Sequence, residues 1–150
     1  MHHAKGSFVN DRYDDLVRAA CEARLHSYCP YSRFRVGAAL LSSSGKVYRG
    51  TNVENASFGL SICAERAAVF QAVSAGEREF TAIAVCADGE TPTPPCGACR
   101  QVLLEFGPDM VLLMAGSRGV DGQVKRFTVS ELVPEAFSAF TPGSDAEVQG

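Results

Sequence analysis

Two short segments constrain this chain more than anything else in it: Cys63-Ala64-Glu65-Arg66 and Pro95-Cys96-Gly97-Ala98-Cys99-Arg100. Each stands where a helix is expected to begin. One helix is expected over residues 63–73, stopped by Gly76, and another from Cys96 or Gly97 to Phe106, stopped by Gly107-Pro108. Helix N-termini carry partial positive charge and free N–H groups, which favour thiolate over thiol. Three thiolates drawn from both segments can share one metal only if the fold brings the two helix starts together. They leave one tetrahedral position open, which is the layout of a catalytic zinc rather than a closed structural one.

A Cys-x-x-Cys pair alone is ambiguous between zinc binding, redox chemistry and coincidence. A further Cys followed two residues later by Glu sharpens the reading. Glu65 is a poor fourth ligand, because a closed site would have no water to activate; it fits better as a proton shuttle. Three thiolates donate charge to the metal and oppose that activation. Arg66 lies three residues after Cys63, on the same helical face, where it can donate hydrogen bonds to ligand sulfurs and offset the effect.

The rest of the chain reads as alternating elements. Residues 12–28 have helical periodicity, with Tyr13, Leu16, Val17, Ala20 and Leu25 on one face and Cys29-Pro30 as the stop. Residues 35–42 and 47–53 form an expected hairpin around Ser43-Ser44-Gly45-Lys46, with Asn52 and Glu54 alternating onto one face of its second strand. Short strands are expected over 81–87, 110–115 and 124–129, with a Pro- and Thr-rich loop over 88–95 and a helical turn over 130–133. Strands interleaved with helices predict one layered α/β domain over 1–150, with a mixed five-stranded sheet and frayed ends at 1–10 and 141–150.

Composition excludes several function classes. The net charge is −3 and the Lys and Arg residues are scattered, so no phosphate-binding stripe forms and nucleic acid is not an expected partner. No apolar run approaches the roughly 18 residues that span a membrane, and residues 1–10 lack the apolar core of a signal peptide. A cytoplasmic location is expected, with thiols kept reduced. Of the six cysteines, Cys21, Cys29 and Cys86 then read as small hydrophobes.

These segments together resemble the small homotetrameric cytidine deaminases. The resemblance runs from about Tyr28 to Phe137. It also takes in Cys29-Pro30-Tyr31-Ser32, Phe34-Arg35-Val36-Gly37-Ala38-Ala39, Asn52-Val53-Glu54-Asn55-Ala56 and the two cysteine segments. It implies a three-layer α/β/α fold, one zinc per chain on Cys63, Cys96 and Cys99, and hydrolysis of cytidine and deoxycytidine to uridine and deoxyuridine with Glu65 moving the protons.

The same resemblance implies that Glu54 accepts a hydrogen bond from the sugar 3′-hydroxyl with Asn52 in support. It has Phe34 packing against base or sugar, and the backbone at Ala64 reading the pyrimidine edge. It further implies a homotetramer with shared sites, in which Phe137 covers the base. Phe58 departs from the pattern, since many relatives have Tyr there. Two other readings stay open: a related zinc deaminase for a cytosine-containing analogue, and a zinc module without catalysis.

Overall fold

The computed structural model describes residues 11–138. Among these residues, three α-helices flank one five-stranded sheet: α1 (Asp11–Arg24), β1 (Val36–Ser42), β2 (Val47–Thr51), α2 (Ala64–Ser74), β3 (Phe80–Ala87), α3 (Gly97–Phe106), β4 (Val111–Ala115) and β5 (Val124–Thr128). Strand order is β2-β1-β3-β4-β5. Only the β3–β4 pair is parallel, and α3 makes the crossover between them. The expected three-layer α/β/α architecture with a mixed sheet is what the chain forms.

Both sheet faces are covered, which explains why β1 and β3 read as unbroken apolar runs rather than alternating ones. Ala38, Leu40, Ile83, Val85, Leu112 and Met114 face α2 and α3, meeting Ala68, Val69, Ala72 and Leu103. Their sequence neighbours Ala39, Leu41, Ala84, Cys86 and Leu113 face the opposite way, onto Leu16, Val17 and Ala20 of α1. Full burial of side chains such as Leu40 or Ile83 contributes roughly 1.5–3 kcal/mol each.

Two glycines set how closely the helices lie on the sheet. A Cβ at Gly37 would run into the Ala20 carbonyl and the Arg24 backbone, and one at Gly50 into the Ala64 carbonyl and Ala68. Gly50 thus lets the first turn of α2, with Glu65, lie against β2.

Several expected boundaries shift. The first helix ends at Arg24, before the Cys29-Pro30 stop, and Leu25 is 61% exposed instead of joining the apolar face. The second strand ends at Thr51, so Asn52 and Glu54 lie beyond it. The expected helical turn over 130–133 is a 3-10 turn at Val129–Leu132.

The expectation that Cys21 and Cys86 remain reduced small hydrophobes is overturned. The two are joined in a disulfide between α1 and β3, with Cα atoms 5.1 Å apart, inside the range a disulfide spans. Cys29 is free. No helix among the described residues is long and apolar enough to cross a membrane. Expected fraying at 1–10 and 141–150 concerns residues outside those described.

Candidate metal centre and pocket

Each cysteine segment delivers its sulfur through a helix start. Cys63 caps α2 and Cys96 caps α3, both with extended backbone (φ −78°, ψ 153° and φ −66°, ψ 165°). Their carbonyls accept the first helical hydrogen bonds, from Ala67 N–H and Arg100 N–H at 3.0 Å each. Cys99 lies one turn into α3 and is fully buried.

Both helices pack on the same sheet face, so the two starts meet beyond the carboxyl end of β3, where open α/β sheets place their ligands. The three Sγ atoms lie within 4.8 Å of one another, the one cluster of three metal-ligating groups among the described residues.

This donor set fits a tetrahedral zinc. Zinc–sulfur bonds of about 2.3 Å put neighbouring sulfurs roughly 3.8 Å apart. Cys63 Sγ and Cys96 Sγ are 3.8 Å apart. At Cys63 the surroundings also favour thiolate. The hydrogen bond with Cys99 brings the Cys63 thiol down to about 5; burial opposes this, and Arg66 adds to it. Arg66 Nη2 donates to Cys63 Sγ at 3.5 Å, as the helical spacing predicts. Cys99 shifts the other way, because the hydrogen bond to Cys63 and its own burial keep its proton in place.

Glu65 is the only acidic side chain among the buried described residues, with 3% of its surface exposed. Burial pushes its carboxyl pKa up, and the nearby Cys63 sulfur adds to the effect. Glu65 lines the same pocket as Cys63, Ala64 and Cys96, a cavity of about 320 Å³. A carboxyl raised by burial and lining a pocket is suited to accept and return a proton.

Most of the remaining sequence candidates share this cavity. Phe34, Asn52, Glu54 and Ala64 all line the cavity. Glu54 Oε1 accepts hydrogen bonds from the Tyr31 and Ser32 amides at 2.9 and 3.1 Å. The Ser32 side chain first, with these amides behind it, holds the Glu54 carboxyl below its ordinary value, so it stays an acceptor.

Asn52 has a role that strand alternation did not indicate. Its Oδ1 accepts from Val36 N–H at 2.9 Å, and its Nδ2 donates to the Phe34 carbonyl at 2.8 Å. Phe137 is not brought to the pocket of its own chain; it is 71% exposed, and its carbonyl accepts a hydrogen bond from Gln101 at 2.7 Å.

Sequence reasoning missed part of the wall: Ser61, Ile62, Val85, Ala87, Thr93 and Pro94. The Pro94-Pro95 pair immediately before Cys96 was the available signal, because two fixed φ angles stiffen the approach to a ligand. Arg100 braces this approach, with Nε donating to the Pro95 carbonyl at 2.8 Å and Nη1 to the Leu132 carbonyl at 3.1 Å.

Comparison with known proteins agrees with this geometry. Residues 10–115 match the family model of the cytidine and deoxycytidylate deaminase zinc-binding region. The cytidine deaminase of Halalkalibacterium halodurans is 53% identical over 83% of this chain and 92% of its own length. That of Sporosarcina psychrophila is 47% identical over 83% and 90%. Among solved structures, the cytidine deaminase of Burkholderia pseudomallei superposes with a TM-score of 0.76 at 45% identity, over 91% of this chain and 99% of that one. The Mycobacterium tuberculosis enzyme gives 0.72 at 40% identity, over 87% and 100%.

Proposed function

The chain belongs to the cytidine and deoxycytidylate deaminase family, and from that membership we propose that its pocket takes cytidine and deoxycytidine, with Glu65 moving the protons of their hydrolytic deamination. The reaction consumes one water and releases one ammonia, leaving uridine or deoxyuridine. The observation that carries the reading is the buried Glu65 lining the pocket with Cys63 and Cys96, whose sulfurs converge with that of the buried Cys99.

Cys63, Cys96 and Cys99 would hold the zinc, which when bound lowers the pKa of water towards about 7. The residues do the rest. Glu65 takes a proton from the attacking water, delivers one to ring N3, and hands one to the amine leaving C4. Positioned acid–base help of this kind contributes about 10²–10⁴-fold. Arg66 draws charge from the Cys63 sulfur. The backbone at Ala64 meets the pyrimidine edge, and Phe34 packs on base or sugar.

Glu54 gives the pocket its preference for a nucleoside. Both amides converge on Oε1, which leaves Oε2 as the acceptor for a 3′-hydroxyl; the carboxylate would repel a 3′-phosphate. Glu54→Ala is expected to lower kcat/KM for cytidine about 10–100-fold, the loss of one hydrogen bond to a charged group, with zinc content unchanged. Free cytosine, lacking the sugar, should be a poor substrate for the parent and should change little in the variant. Ultraviolet absorbance of the two substrates reads both effects; comparable parent efficiency on cytosine and cytidine contradicts the sugar pocket.

On this reading the protein serves pyrimidine salvage in the cytoplasm and works as a homotetramer with shared sites. Support for assembly lies beside the pocket. Tyr28, Tyr31, Val53, Phe58 and Leu60 are all exposed, with Phe58 and Leu60 each 72% open. They are neighbours: Tyr28 bridges Val53, and the Tyr31 and Phe58 rings meet edge to face at 5.5 Å. An apolar surface of this kind marks an interface.

Phe137, open in its own chain, then reaches a neighbour's base. Sedimentation should give the mass of a closed four-chain assembly. Mixing Glu65→Gln chains with Phe137→Ala chains should restore activity in sites that pair an intact Glu65 with an intact Phe137. A fully active monomer contradicts the assembly; a tetramer without recovery, despite proven exchange, contradicts the role of Phe137.

A further inference from the structure

The run Phe34-Arg35-Val36 enters β1 with its backbone held from both sides. From one side, the Asn52 side chain takes the Phe34 carbonyl and the Val36 N–H, and the Asn52 N–H donates to the Val36 carbonyl at 3.1 Å. From the other side stands Asp88, one residue past the end of β3. Its own N–H donates to the Arg35 carbonyl at 3.0 Å. Its Oδ2 accepts from the Arg35 N–H at 3.0 Å and from Arg35 Nε at 3.1 Å. Its Oδ1 accepts from Arg35 Nη2 at 3.2 Å and from Arg24 Nη1 at 3.1 Å.

One carboxylate therefore joins the end of α1, the entry to β1 and the exit of β3. Such charge-assisted, partly two-pronged bonds are the strong and geometrically specific ones. Side-chain exposure falls from 44% at Arg35 through 23% at Asp88 to 10% at Arg24, so the anchor deepens towards the body of the protein. Arg24 reaches Asp88 because α1 crosses β1 closely at Gly37. Burial is the largest single influence on the Asp88 carboxyl and pushes it up, but the side-chain and backbone hydrogen bonds from Arg35 and the attraction of both guanidiniums together outweigh it and keep the carboxyl below its ordinary value.

Alternation along an extended chain turns this grip into pocket shape. With Arg35 pulled towards Asp88, its two neighbours point the other way. Both Phe34 and Val36 line the cavity, and Arg35 does not.

We propose that Asp88 is a positioning residue of the nucleoside pocket: by holding Arg35 away from the cavity, it sets Phe34 as the wall that substrate packs on. The inference rests on the reading of Phe34 as a nucleoside contact. It gives Asp88 no contact with substrate and no proton to move.

Steady-state kinetics on cytidine with the zinc-loaded protein test it. Asp88→Asn is expected to raise KM about tenfold while kcat stays within about twofold and zinc remains at one per chain, the pattern of lost substrate positioning rather than lost chemistry. In a Phe34→Ala background the same change should add less than about twofold to KM, because the wall it positions is gone. An undiminished KM effect in that background overturns the proposal, as does loss of zinc or a fall in kcat with KM unmoved.

Arg35→Met, at a more exposed side chain, removes the same grip from the other partner and covers the case in which Asp88→Asn fails to fold. It should raise KM about threefold, and an unchanged KM overturns the proposal. The underlying reading is tested separately. Phe34→Ala with the parent KM refutes Phe34 as a contact, whereas Phe34→Ala with raised KM and Asp88→Asn with parent KM refutes only Asp88.

Discussion

Glu65→Gln is expected to keep its zinc and its fold while losing turnover by about 10²–10⁴-fold, the range of a positioned acid–base group. The substitution preserves shape, which matters because Glu65 is 3% exposed in the first turn of α2, where a smaller residue would leave a void. It also removes a buried ionisable group, so the fold carries no new desolvation penalty. What disappears is the carboxyl that burial has pushed above its ordinary value. Zinc content by metal analysis, melting temperature and cytidine turnover should be measured on the same preparation. A variant with parent zinc and near-parent turnover removes Glu65 from the proton path.

Cys99→Ser should have the other large effect, and on two properties at once. Cys99 is fully buried in α3, and it supplies the hydrogen bond that leads in bringing down the Cys63 thiol. Serine is a hard, weakly acidic donor in a site built from soft sulfur, so metal content should fall well below one zinc per chain. Zinc binding is coupled to folding, and loss of a ligand should lower the melting temperature by on the order of 10 °C in a domain of this size. Activity should fall with the metal and return in part at excess zinc. Full activity in a metal-free Cys99→Ser protein would contradict the metal assignment.

The reasons some features were legible in the sequence are local ones. Cys63 and Cys96 each stand at a helix start because Gly and Pro punctuation and helical spacing surround them, and both serve as N-caps in the structure. Arg66 meets Cys63 because a three-residue step on a helix fixes that geometry. The layered α/β arrangement follows from element order, with β3 and β4 parallel because a helix connects them.

What the sequence left dark depends on register between distant segments. Cys21 and Cys86 are 65 residues apart, and their pairing needs both the face of α1 and the phase of β3. Leu25 fitted the helical period, but the helix had already ended at Arg24. Asn52 lines the cavity, but its amide also grips the run leading into β1, a contact that exists only once the β1–β2 edge has formed. The Asp88 junction escaped notice for the same reason, since Arg24, Arg35 and Asp88 share no local pattern.

The most direct measurement of the central claim is ammonia released against uridine formed when cytidine is given to protein carrying one zinc per chain. One ammonia per uridine, with both ceasing after zinc is withdrawn and resuming when it is restored, is the predicted result. Zinc-loaded, folded protein that leaves cytidine unchanged, or that forms uridine equally well without the metal, would contradict the account.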